Sequence, residues 1–294
     1  MDLLPLRYFQ AVARHEHISR AAAELRVSQP SLSRTIARLE KELGVPLFDR
    51  QGRQIRLNRF GSAFLARVDR ALAELDDGRQ ELSDAVGLVR GSVAVATETL
   101  LTLSGALVGF RAEHPDVDVR LYQSSATAML QRLRRGEVDL CLSSQPVDDP
   151  ALETAEVLRE EVLLAVPREH PLASRTSVGI AEIAEEPFIT TSGDFWQREL
   201  TDRLFAAVGR RANIVCESDE PAASAFLVSL GLGVGLVPEM ASRYDVAPLV
   251  FLHVDAPGCE RVLSYVWRRD AYSSAAARRF REHTTETLRR EARS

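Results

Sequence analysis

Gln29, Pro30, Ser31, Ser33, Arg34 and Arg38 crowd into the stretch "VSQPSLSRTIARLEKELG". Amide, hydroxyl and guanidinium groups so close together share one chemistry, hydrogen bonding to base edges and phosphates. At about 100° per residue, Pro30, Arg34, Arg38 and Lys41 share one face of a helix, with Gln29, Ser31 and Ser33 at its N-terminal end. Leu32, Ile36, Leu39 and Leu43 make the opposite, apolar stripe. Pro30 does not break this helix, because in the first turn its missing N–H has no intrahelical partner to lose. Ser28 is the expected N-cap. Upstream, "SRAAAELR" reads as a short helix capped by Ser19, with Ile18 stapled onto Ala23. Two helices joined by a tight turn, the second polar at its N-terminus, form a helix-turn-helix whose second helix enters the major groove.

The next stretch, "LFDRQGRQIRLN" from Leu47 to Asn58, reads as a hairpin turning at Gly52, with Arg50, Arg53 and Arg56 around it. This is a wing, and Arg53 at its tip suits a minor groove or a phosphate. Residues 1–58 hold ten Lys or Arg against six Asp or Glu, a net +4, which leaves 27 against 36, a net −9, for residues 59–294. The basic end is the part suited to a polyanion.

The run "ISRAAAELRVSQPSLSRTIARLEKELGVPLFDRQGRQIRLNRFG" resembles the N-terminal signature of LysR-type transcriptional regulators. The resemblance implies that Gln29, Pro30, Ser33 and Arg34 face bases and that Arg53 reaches the minor groove. Asn58 and Phe60 stand where the family usually has Thr and Ala; Asn58 remains a good N-cap. Double-stranded operator DNA is the expected partner, bound by a homodimer or homotetramer, with RNA polymerase as a further candidate partner.

From Phe60 the apolar residues Phe64, Val68, Leu72, Leu75, Leu82, Val86 and Val89 recur at helical spacing between charges. Such a stripe can pack on its own chain or on a second copy. A long helix bridging two domains is expected to pair with its copy, which brings two recognition helices onto one duplex. Gly78, Gly87 and Gly91 weaken its second half.

From Ser92 short apolar runs alternate with amphipathic helices: "SVAVA", "VDVRLY", "VDLCLS", "EVLLAVP", "PFITT", "NIVCES", "GVGLVP" and "VLSYVW" are the strands. The pattern predicts an α/β body with largely parallel sheets, whose ligands bind beyond the carboxyl ends of strands. Thr97, Glu98, Thr99, Ser124, Ser125, Ser143, Thr191 and Glu217 follow those strands and are the candidate effector contacts. Each can instead cap its own helix; their recurrence after several strands favours a shared polar cleft. Glu98 either caps its helix or meets a cationic group on an amphoteric ligand. The expected effector is a small polar metabolite, a carboxylate or an amphoteric molecule. This body resembles the family's co-inducer domain, two subdomains of periplasmic-binding-protein type, although Ser104 stands near a position where the family usually has proline.

The expected organisation is α/β overall: a winged helix-turn-helix domain over residues 1–58, all-α with a small β wing, then a linker helix over 59–90 and an effector domain over 91–294. Within the last, one subdomain takes 91–161 and 267–294 and the other 162–266. An enzyme is disfavoured. The chain has no G-x-S-x-G elbow, and its sole lysine, Lys41, rules out a P-loop. Gly231, Gly233 and Gly235 follow a helix and lead into a strand, the reverse of a dinucleotide fingerprint. Cys141, Cys216 and Cys259 lack metal-site spacing and read as small buried apolar residues. No cofactor or metal is expected. With no run near the roughly 20 apolar residues of a membrane span and no secretion signal, a cytoplasmic location is expected.

Overall fold

The computed structural model describes residues 2–51, 54–85, 91–243 and 248–293. The chain forms two units, one built on its first 83 residues and the other on most of residues 84–294.

The first unit begins with α1 (Leu3–His15), a helix the sequence reading did not anticipate, followed by α2 (Ile18–Glu24) and α3 (Gln29–Leu43). His15 ends α1, and α2 starts two residues earlier than expected, after His17 and not at a Ser19 cap. Ser28 caps α3: its Oγ accepts from Ser31 N at 3.4 Å, and Pro30 lies in the first turn. Gly44, at φ 73°, ends the helix in the left-handed region that glycine enters without strain. Leu32, Ile36 and Leu39 pack with Phe9 and Val12 of α1 and Ala21 of α2 in one core.

The wing consists of β1 (Phe48–Gln51) and β2 (Gln54–Leu57), antiparallel, with Gln51 opposite Gln54. Glu40 ties it to α3, its Oε1 accepting from the backbone N–H of Leu47 (2.8 Å) and Phe48 (3.3 Å). Asn58 closes the other end as the cap of α4 (Arg59–Ala85): its Oδ1 accepts from Phe60 N and Gly61 N, and its Nδ2 donates to the Pro46 carbonyl, all at 2.9 Å. A Cβ on Gly61 would stand 2.0 Å from the Leu47 carbonyl oxygen, so only glycine lets α4 pass the wing this closely.

The apolar stripe of α4 is divided. Leu65, Val68 and Leu72 are buried in the first unit's own core with Phe64 against it, whereas Leu75 and Leu82 are 43% and 69% exposed. Of the two uses open to the stripe, its first half packs in its own fold, while Leu75 and Leu82 stay exposed among its described residues. Val86 and Val89, expected to continue the stripe, and Gly87, expected to weaken the helix, lie outside the described residues.

The second unit starts with β3 (Ser92–Thr97), α5 (Leu101–Glu113), β4 (Asp118–Gln123), α6 (Ala126–Arg134) and β5 (Leu140–Ser143). The long strand β6 (Leu152–Pro167) leads to β7 (Ser177–Gly179), β8 (Pro187–Thr191), α7 (Trp196–Ala207), β9 (Asn213–Ser218) and α8 (Pro221–Ser229). Then come β10 (Gly235–Pro238), β11 (Leu249–Asp255), β12 (Glu260–Arg268) and α9 (Ala275–Glu291). The main sheet runs β4-β3-β5-β12-β6-β11-β7 with β10 also on β6, and β8 and β9 pair apart. It is mixed and not largely parallel: β3, β4 and β5 are parallel, but β12 is antiparallel to β5 and β6, and β10 and β11 are antiparallel to β6.

The reason is the crossover. Leu152 to Glu161 of β6 pair with β12, and Val162 to Pro167 pair with β10 and β11, so one strand serves two cores. Around one core lie Val95, Phe110, Tyr265 and Phe280; around the other, Leu164, Phe188, Phe205 and Leu252. No helix among the described residues is long and apolar enough to cross a membrane.

Two glycines of α4 give opposite expectations. Gly61→Ala should cost the first unit about 1–3 kcal/mol from the clash with Leu47. Gly78→Ala, where an added Cβ meets nothing within 4 Å, should add about 0.5–1 kcal/mol through helix propensity. Urea unfolding followed by circular dichroism reads both signs.

Candidate functional site

On α3 the burial pattern separates a reading face from a packing face. Gln29, Pro30, Arg34 and Arg38 are exposed, Ser31 and Ser33 are half-buried, and Leu32, Ile36 and Leu39 are buried beneath them. Arg34 Nε donates to the Pro30 carbonyl at 3.3 Å, which lays the side chain back along the first turn toward Gln29. This end of α3 thus gathers an amide, two hydroxyls and a guanidinium, the donor and acceptor set that distinguishes base pairs in a major groove. The backbone of Arg50 lies in β1, while its side chain and the whole of Arg53 are outside the described residues.

In the second unit a cavity lies where the start of α5 meets β8, α8 and β10. Leu101, Ile189, Val228, Leu236, Val237 and Phe251 make most of its wall. Thr99, Thr102, Thr190, Thr191, Gln197 and Ser224 supply its polar groups. Thr190 Oγ1, Thr191 Oγ1, Gln197 Oε1 and Ser224 Oγ are buried without a hydrogen-bond partner. Buried polar atoms are nearly always paired, so four orphans on one wall mark a place where something else supplies the partners.

Arg261 lines the same cavity, and its charge is already answered. It is buried with Glu160: Arg261 Nε donates to Glu160 Oε1 at 2.8 Å, Nη2 donates to the same oxygen, and Glu160 Oε2 accepts from Met240 N at 2.8 Å. Glu98 is also fully enclosed. Its Oε2 accepts from Ser144 N at 2.9 Å, and its Oε1 has no partner. Burial holds the Glu98 carboxyl above its ordinary range, opposed by hydrogen bonding from Ser144 and by the charge of Arg261.

Of the eight effector contacts expected from the sequence, Thr99 and Thr191 line the cavity. Thr97 is buried and bonds the Thr99 carbonyl, and Ser143 bonds within its own turn to Gln145. The turn holding Ser124 and Ser125 is occupied with α7's approach: Ala126 N donates to the Asp194 carbonyl, and Thr127 Oγ1 donates to Asp194 Oδ1 at 2.7 Å. Glu217 is not brought to the cavity; it is exposed and paired with Arg198. Thr102, Gln197, Ser224 and Arg261, which also line it, were not singled out from the sequence. For Arg261 the sequence offers no clear signal, since Glu160 lies between Arg159 and Glu161 and Arg261 follows Glu260.

Of the cysteines, Cys141 and Cys259 are buried, and burial pushes their thiols up to about 12, while Cys216 is only half-buried. Among the described residues no group of His, Cys, Asp and Glu gathers to hold a metal.

A winged helix-turn-helix with an exposed reading helix, carried on one chain with a two-core α/β body that holds a cavity, defines a DNA-binding regulator with an effector domain. Residues 3–62 match the bacterial regulatory helix-turn-helix model of the lysR family, and residues 87–289 match the LysR substrate binding domain. The chain belongs to the LysR family of transcriptional regulators, which are not enzymes. It is 36% identical to the uncharacterized HTH-type transcriptional regulator YybE of Bacillus subtilis (strain 168), over 96% of this chain and 98% of that one. Among solved structures it shares its fold with a full-length OxyR variant from Pseudomonas aeruginosa (TM-score 0.71, 23% identity, 100% of this chain and 97% of that one). It shares it too with full-length CbnR complexed with its target DNA (TM-score 0.68, 24% identity, 99% and 100%).

The orphan hydroxyls should act against the stability of the empty protein. Thr191→Val keeps the volume and removes an unpaired buried oxygen, so it should raise the stability of the ligand-free second unit by about 1 kcal/mol. A higher urea midpoint at unchanged slope is the expected reading. A loss of similar size would mean that the hydroxyl is satisfied within the protein.

Proposed function

We propose that this regulator binds a short, imperfectly palindromic operator as a dimer or tetramer and responds to a small molecule held in the cavity of its second unit. The observation that carries the DNA half is the face of α3, where Gln29, Pro30, Arg34 and Arg38 stand exposed over a buried leucine and isoleucine stripe. In this reading Gln29 and Arg34 bond base edges, Pro30 touches a thymine methyl, and Ser31 and Ser33 add single hydrogen bonds. Arg38 and Arg50 meet phosphate, and Arg53 enters the minor groove. CbnR, whose fold this chain shares, has been seen on its target DNA, which supports the same docking here.

The effector half rests on the orphan polar atoms around Thr190 and Thr191. A ligand shifts transcription only through different affinities for two arrangements of the oligomer, so the cavity acts on DNA binding through assembly. Leu75 and Leu82, exposed on α4, are the residues through which two copies pair.

The test starts from an operator selected out of a random duplex pool by the full-length protein. Arg34→Ala should cost about 1–3 kcal/mol on that operator and relax its sequence preference, whereas Arg38→Ala should weaken binding to all sequences and lower the salt slope by about one. Equal losses on operator and random DNA for Arg34→Ala would rule out its base-reading role. Leu75→Glu with Leu82→Glu changes two exposed positions and should leave the first unit folded. It should shrink the oligomer in light scattering and weaken operator binding at least about tenfold by removing bivalency.

A further inference from the structure

We infer that the ligand of the second unit's cavity is a small, uncharged, mainly apolar molecule with a single oxygen-bearing end, and not a carboxylate or an amphoteric metabolite. The inference rests on the effector reading above and concerns only the chemistry that fills the space. Its first ground is the wall. Ile189, Val228, Leu236, Val237 and Phe251 give it an apolar lining, and such a surface rewards hydrocarbon contact.

The second ground is the nature of the unpaired groups. Thr190, Thr191 and Gln197 are each more than nine-tenths buried and keep an unpartnered oxygen in the cavity wall. All three are neutral. Hydroxyls give and accept one hydrogen bond each, and the Gln197 carbonyl accepts, so together they complete a hydroxyl, ketone or amide on the ligand. Such a set also rejects a purely hydrocarbon molecule, which would leave all of them unpaired.

Charge decides between the remaining classes. Among the described residues Arg261 is the one cation lining the cavity, and two of its N–H groups already donate to Glu160. A ligand carboxylate would have to enter a low-dielectric space with no uncompensated positive charge to meet it. An amphoteric ligand needs an anionic partner as well, yet no Asp or Glu is among the described residues that line the cavity. Charged molecules find a better match in a neighbouring cleft of the same unit, which shares Arg261 and is lined also by Ser144, Trp196, Glu199, Arg203 and Glu260.

The experiment measures binding to the full-length protein by calorimetry near neutral pH, using three probes of one ring size: 2-naphthol, 2-naphthoate and 2-naphthylalanine. The naphthol should bind at least about tenfold tighter than either charged probe. Ala225→Phe, which fills the cavity, should weaken the naphthol at least about tenfold, and the isosteric Thr191→Val should weaken it by roughly threefold or more without unfolding the chain. Tighter binding of 2-naphthoate that Ala225→Phe abolishes would overturn the uncharged class and leave the cavity as the effector site. Binding of 2-naphthoate that ignores Ala225→Phe but is lost in Arg203→Ala would move the effector site to the other cleft and overturn both readings. Failure of all three probes to bind at millimolar concentration, or naphthol binding indifferent to both cavity variants, would also overturn the inference.

Discussion

Glu160 and Arg261 stand opposite each other on the two strands that join the halves of the second unit, and the geometry of that unit depends on their pairing. Neither charge is tolerable alone in that environment; removing one partner of such a pair costs about 3–5 kcal/mol because the other is left buried and unanswered. The pair therefore fixes the register of β6 against β12. Glu160 extends the constraint to Met240 through a backbone hydrogen bond, and the Arg261 guanidinium lies 5.3 Å from the centre of the Trp196 ring at the start of α7. One ion pair thus holds the crossover, the cavity wall and the first turn of a helix in a single arrangement.

Much of this was legible in the sequence, for identifiable reasons. The reading helix announces itself because Leu32, Ile36 and Leu39 keep helical period while Pro30 and Arg34 cannot belong to that stripe. The strands of the body are legible because β-branched runs are bounded by Gly, Pro and Ser. The Glu160–Arg261 pair was not legible: its partners are far apart in the chain, and a charge in a strand ordinarily signals a solvent face. Glu217 misled for a related reason. It follows a strand as a cleft residue would, but β9 alternates exposed and half-buried positions, and Asn213, Val215 and Glu217 share the outer set.

The cavity also explains why polar residues were easy to nominate and hard to rank. Ser143 and Thr97 satisfy themselves within their turns, so their chemistry is spent on holding the loops. Thr190, Thr191 and Gln197 leave theirs unspent. Residue type does not separate the two groups; only the completed hydrogen-bond account does. The sites that function needs are those where the fold leaves that account open, at a cost the rest of the core must offset.

The divided stripe of α4 makes that helix a phase-keeper. Leu65, Val68 and Leu72 clamp its azimuth to the core that also orients α3, while Leu75 and Leu82 continue nearly the same line into solvent. Each helical residue advances the chain by about 1.5 Å and turns it by about 100°. One residue inserted between Leu72 and Leu75 would therefore swing the outer leucines about a quarter turn away from the clamped ones, whereas seven would return them to within about 20° of line. With copies paired through Leu75 and Leu82 as proposed, the spacing between two operator half-sites would follow from the count of residues along a single helix, and whole-heptad changes would preserve it better than single insertions.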